Sequence, residues 1–114
     1  MTLNDAALVT GATAIEAEIT HMQAHSAAPG AGYTANAIGT RVAVNGTVDA
    51  DGDITWTNVA FTGLPANSPF WGVSYWTAGT GGANRGGQAT TGDTAANAAG
   101  AITVTTVTET STAS

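Results

Sequence analysis

The hydrophobic positions of this chain keep two different periods, and the switch between them falls near residue 20. Before it, Leu8, Ala12, Ile15 and Ile19 recur at spacings of four, three and four, which is one face of an α-helix. The spacing predicts a helix over about residues 3–18, capped by Asn4 or Asp5, with Glu16 and Glu18 turned away from the apolar stripe. Gly11 weakens its middle by up to ~1 kcal/mol relative to Ala, and a helix of this length is marginal in water by itself. The stripe is therefore expected to dock on the remainder of the chain. Residues 20–25 fit either a continuation of the helix or a first strand.

Further on, apolar residues alternate as in half-buried strands. Residues 27–39 are small or polar and read as a long loop opened by Pro29-Gly30. Over residues 41–48, Val42, Val44 and Val48 share one face, with Arg41, Asn45 and Thr47 opposite. Asp51-Gly52 marks a hairpin turn. The return strand carries Ile54 and Trp56 on one face, then Val59 and Phe61 on the other, so a bulge or break is expected near Thr57-Asn58. Residues 70–76 place Phe70, Ser74 and Trp76 on one face and Trp71, Val73 and Tyr75 on the other; bulk on both faces predicts burial on both sides, or a core on one and a contact on the other. Residues 77–87 are glycine-rich and read as a loop, 88–91 as a short strand, and 92–100 as another loop. Ile102, Val104 and Val107 mark a last strand over 101–108, and 109–114 is expected to be a mobile tail. The whole pattern predicts one mainly-β domain over 1–114. It is a small antiparallel β-sandwich, jelly-roll-like, of six to eight strands with one N-terminal helix.

Composition narrows the function classes. Eight acids stand against Arg41 and Arg85, with no lysine, for a net charge of −6. A phosphate backbone is held by clustered cations, so nucleic-acid binding is not expected. No apolar run approaches the roughly 18 residues that cross a membrane. The N-terminus lacks the basic region of a signal peptide, and without cysteine there are no disulfides or thiolate metal sites. Ala, Thr and Gly fill 60 of 114 positions, and only 9% are charged. That suits a β-rich surface solvated by hydroxyls, or one covered by neighbours in an assembly.

Candidate chemistry is thin. His21 and His25 are spaced to share a helix face and a metal, but on a strand they stand roughly 13 Å apart, and no Glu lies between them. Asp49, Asp51 and Asp53 alternate as in a calcium loop, yet Ile54 stands where the turn glycine belongs and Ala60 where the bidentate Glu belongs. A solvated turn is the expectation. The glycines of 79–87 lack the G-K-[ST] of a phosphate loop. No serine sits in G-x-S-x-G, and three acids in one exposed turn do not make a glycosidase pair. No catalytic, metal or cofactor residue is assigned. Arg85 is expected in an intersubunit ion pair, and exposed members of the aromatic set would anchor a protein interface.

One segment is more informative. Thr20, His21, His25, Ala27, Pro29 and Gly30 match T-H-V-S-L-H-T-A-D-P-G, a pattern of small virion proteins from tailed phages of actinobacteria; Ala28 departs from its Asp. Val59-Ala60-Phe61-Thr62-Gly63-Leu64-Pro65-Ala66 resembles the family's V-x-F-x-x-L-P-A. Val73-Ser74-Tyr75-Trp76 with the following Ala78-Gly79-Thr80-Gly81-Gly82 resembles V-G-L-W-D-A-A-T-G-G, with Thr77 in place of Asp. The resemblance favours a strand over 20–25 with Met22 and Ala24 inward. It implies a virion structural protein without enzymatic activity or cofactor, of the head-decoration (minor capsid) or tail-fibre type. Lacking heptads and fibrous repeats, the chain is expected to decorate the outer capsid surface, bound to the major capsid protein and to copies of itself, most plausibly as a trimer. Phe70, Trp71, Tyr75, Trp76 and Arg85 are the expected interface. The rivals are a tail-tip or tail-fibre subunit that binds host surface or tail proteins, and a carbohydrate-binding β-sandwich module.

Overall fold

The computed structural model describes residues 4–110; the first residue of the expected helix and residues 111–114 of the expected tail lie outside them. The helix α1 spans Asp5–Glu18, and Asn4 is its cap, its side chain accepting from the Ala7 N–H at 2.9 Å. Seven strands follow: β1 (His21–His25), β2 (Ala37–Ala43), β3 (Thr47–Val48), β4 (Ile54–Phe61), β5 (Gly72–Trp76), β6 (Asn84–Ala89) and β7 (Ile102–Glu109). All pairings are antiparallel. The larger sheet runs β2-β1-β5-β6 and the smaller β3-β4-β7. The chain is thus mainly β, with two antiparallel sheets and one N-terminal helix, as the pattern predicts. The strands divide four and three, where a full jelly roll has eight.

The core lies between the sheets. Met22, Ala24, Val73 and Tyr75 face Ile54, Trp56, Val59, Phe61, Ile102, Val104 and Val107. Trp56 stacks on Tyr75 with ring centroids 5.3 Å apart. Val42, Val44 and Val48 pack at its margin. Met22 and Ala24 are fully buried, so the strand reading of residues 20–25 holds.

The change of phase in β4 is real, and it is matched. Asn58 takes a left-handed backbone (φ 52°), and the buried side switches from Ile54 and Trp56 to Val59 and Phe61. On β7 the buried side switches at the facing position, between Val104 and Val107. Trp56 therefore pairs with Val107 and Val59 with Val104 in one unbroken register. A kink in one strand alone would drive half of its apolar side chains into solvent.

Several boundaries differ from expectation. The apolar alternation of 41–48 crosses two sheets: β2 pairs with β1, β3 pairs with β4, and the chain changes sheet between them. β2 begins inside the expected loop, at Ala37. Phe70 and Trp71 precede β5 rather than belonging to it. β6 takes in the last four residues of the expected glycine loop, 84–87, and Gly72 lets it approach β5 closely: a Cβ there would collide with Gln88 O and Ala89 Cα. Glu109 closes β7 rather than opening the tail.

The helix docks by the face its sequence suggests, except that Glu16 takes the place expected of Ile15. Leu8 rests on Gly52 in the β3–β4 turn, where a Cβ would meet Leu8 atoms at 2.8 Å, and Ala12 and Ile19 are buried. Glu16 accepts from the Gly46 N–H at 3.0 Å. The contact stripe is therefore Leu8-Ala12-Glu16-Ile19, and Ile15 is left 49% exposed. A backbone N–H needs a partner at Gly46, and the carboxylate meets that need where a methyl group would not.

Candidate functional site

Three of the five expected interface residues are enclosed by the chain itself. Phe70, Tyr75 and Trp76 are 6%, 2% and 8% exposed; they are core residues of this domain and offer no anchor to a neighbour. Trp71 is half-buried, its ring edge-on to His25 at 6.4 Å. Arg85 is exposed, but its Nε donates to Glu18 Oε2 at 2.9 Å. The expected intersubunit ion pair is replaced by one within the chain. Its partners are 40% and 53% exposed, so it adds little to stability.

His25 alternates with the inward Met22 and Ala24, so the strand pattern alone would leave it in solvent. It is fully buried on the outer face of the larger sheet, together with Gln23, Ser74 and Trp76. Nδ1 lies 2.9 Å from Ala35 O and Nε2 lies 2.7 Å from Ser74 Oγ. A carbonyl only accepts, so Nδ1 carries the proton and Nε2 accepts from the Ser74 hydroxyl. Ser74 Oγ in turn accepts from Trp76 Nε1 at 2.8 Å. Burial lowers the His25 pKa, opposed by the Ala35 hydrogen bond. Serine and histidine thus stand at the spacing of a nucleophile and its base, but both are closed to solvent and the serine oxygen is already engaged. The arrangement is a packing network. Loops over the outer face create it, which no alternation rule foresees.

The other candidates resolve locally. His21 Nδ1 pairs with Thr20 Oγ1 at 2.8 Å, away from His25. Asp49 Oδ1 accepts from the Asp51 and Asp53 N–H groups, both at 2.9 Å, which closes the hairpin turn. Among the described residues no cluster of three His, Asp or Glu side chains converges to hold a metal, and no helix is long and apolar enough to cross a membrane.

What the surface does offer is a groove of about 330 Å³ beside the end of α1. Ile15, Ile19, Ile54 and Tyr33 give it apolar walls, and Arg85 and Glu109 stand at its polar side. Tyr33 is held there by a left-handed backbone (φ 55°). Below them the Tyr75 hydroxyl donates to Glu109 Oε1 at 2.6 Å and accepts from Gln88 Nε2 at 2.6 Å. Burial, then the bond to Glu109, pushes the Tyr75 pKa well above its ordinary value, so this phenol stays protonated and fixes β7 to the larger sheet. The groove has apolar area and polar edges suited to binding, and beneath it Tyr75, Gln88 and Glu109 are paired with one another. Sequence reasoning misses it because Ile15 reads as core and Tyr33 as loop. No family model, curated protein or solved structure matches this chain.

Proposed function

We propose that the chain is a structural protein of a tailed-phage particle, most simply a decoration protein that binds the outer capsid surface. The observation that carries this reading is the Thr20–Gly30 segment. The residues it shares with the virion-protein pattern serve as framework: Thr20 pairs with His21, His25 ties β1 to Ser74 and Ala35, and Gly30 turns the chain with φ 67°. A motif spent on architecture suits a protein whose task is to be a shaped, stable block.

The mechanism is cementing. A subunit bound across capsomer boundaries adds buried area that must be broken before the shell opens. The partners are the major capsid protein and further copies of this chain, as a trimer, and the net charge of −6 complements basic patches on a shell. With Phe70, Tyr75 and Trp76 enclosed, the contact surface is reassigned to the Ile15 side of α1, its groove and Trp71. One observation favours the tail-tip reading instead: Tyr33 stands at a concave groove, as an aromatic platform for a sugar would.

Cryo-EM of the intact particle separates the two. Copies at many equivalent positions over the shell are the expected result and give the symmetry of the oligomer. Copies confined to the tail or its tip, over a bare shell, reject decoration.

A further inference from the structure

Arg41 is held by a ring and two carbonyls. It lies in the stretch of β2, residues 39–41, that has no partner residues in β1. From there its guanidinium reaches over the Trp76 ring, 3.8 Å from the centroid. Nη1 donates to Ala78 O at 2.9 Å and to Gly81 O at 2.7 Å. The contact with the ring and the bonds to two carbonyls together hold the group in place.

This leaves a particular pair of donors unused. Nη1 lies on the Cδ side of a guanidinium, so the remaining edge is Nε with Nη2, whose N–H bonds run parallel. That edge is the fork which receives both oxygens of a carboxylate. Neither atom has an acceptor among the described residues, and neither is a buried orphan, so both reach solvent. No carboxylate among the described residues pairs with Arg41, whereas the other arginine has Glu18. Arg41 also lines a depression of about 350 Å³ with Gln23, Thr40 and the Gly79–Gly81 turn.

We infer that the Arg41 fork, backed by Trp76 and the 78–81 turn, is a binding site for a single carboxylate group. The fork also matches phosphate geometry, but the chain carries net charge −6 and no second cation stands in this depression. Its field disfavours a dianion more than a monoanion. The carboxylate is supplied by a small free acid or by an acidic side chain of a neighbouring protein copy. The inference does not depend on a role in a virus particle.

The test is NMR on the folded, ¹⁵N-labelled protein, following the Arg41 Nε–H and Trp76 indole N–H signals. Sodium acetate is titrated against sodium chloride at equal ionic strength, and sodium phosphate in parallel. The expected result is a saturating shift of both signals with acetate and not with chloride, with phosphate no tighter than acetate. R41K keeps the charge but loses the fork, and is expected to weaken acetate at least about tenfold. A protein dilution series with sedimentation velocity identifies the source. If Arg41 shifts with protein concentration, and added acetate dissociates the oligomer, the carboxylate comes from a second copy. If acetate acts on a monomer, the site takes a free acid. The inference is overturned if neither acetate nor protein concentration gives a saturating shift in the wild type, if phosphate binds more tightly, or if R41K responds as the wild type does. The wild-type titrations decide the matter even if R41K fails to fold.

Discussion

At the scale of single residues, His25 is placed between a carbonyl and a hydroxyl that together dictate where its proton sits. The neutral ring satisfies both partners, and protonation would put a second N–H against a serine oxygen that already accepts from Trp76. The direction of the resulting pH dependence follows. The folded-state pKa lies below the ordinary value of 6.5, so between the two the unfolded chain holds more protons than the folded one. The contribution to stability is complete above about pH 6.5 and falls by up to ~1.4 kcal/mol per unit as the pH drops below it, until His25 charges within the fold. Thermal melts from pH 7.5 to 5.5 should show this slope in the wild type and a shallower one in H25Q, whose amide offers a donor and an acceptor but does not titrate. Equal slopes would remove His25 as the cause. None of this was legible in the sequence. A histidine on the polar side of an alternating strand reads as solvated, and only the loops that cover the outer face make it a core group.

At the scale of elements, the helix shows how far periodicity reaches. It locates α1, whose cap the sequence leaves between Asn4 and Asp5 and the structure gives to Asn4, and it assigns Leu8, Ala12 and Ile19 to the docked side, yet it ranks Ile15 above Glu16 because hydrophobicity is all it reads. The hydrogen-bond requirement of Gly46 decides the fourth position. E16A should destabilise the fold by about 1–2 kcal/mol, the cost of orphaning a half-buried amide, while E16Q keeps an acceptor and loses less. Urea unfolding measures both, and hydrogen exchange should show the Gly46 amide losing protection in E16A alone. β4 and β7 were readable because their apolar residues carry the pattern, including the change of phase in β4; the matching change in β7 was not read. β6 was not: Asn84-Arg85-Gly86-Gly87-Gln88-Ala89 has no apolar alternation, and its place in the sheet comes from backbone pairing with β5. Alternation also ran straight through the change of sheet after Ala43, since Val42, Val44 and Val48 all touch the same core.

At the scale of the whole molecule, Trp56, Phe61, Phe70 and Tyr75 are used in the core between the sheets, while Ile15 on the helix stands exposed. I15D should leave the melting temperature within a few degrees of wild type, because the side chain is half in solvent and its removal opens no cavity. If the Ile15 surface is the contact, the same variant should abolish self-association in sedimentation and occupancy on purified particles. Unchanged occupancy would assign the contact elsewhere. The molecule also carries a safeguard in the matched changes of buried face in β4 and β7. A smooth ladder of threonines and valines can slide by two residues and still bury an apolar face, which is how repetitive strands come to join wrong neighbours. Here a slide would set Asn58 and the inversion in β7 out of step, exposing valines on one side of the mismatch and burying threonines on the other. The pair works like a key with a single notch: it turns in one alignment and jams in the rest. Each copy is thereby steered away from strand exchange with another and closes on itself.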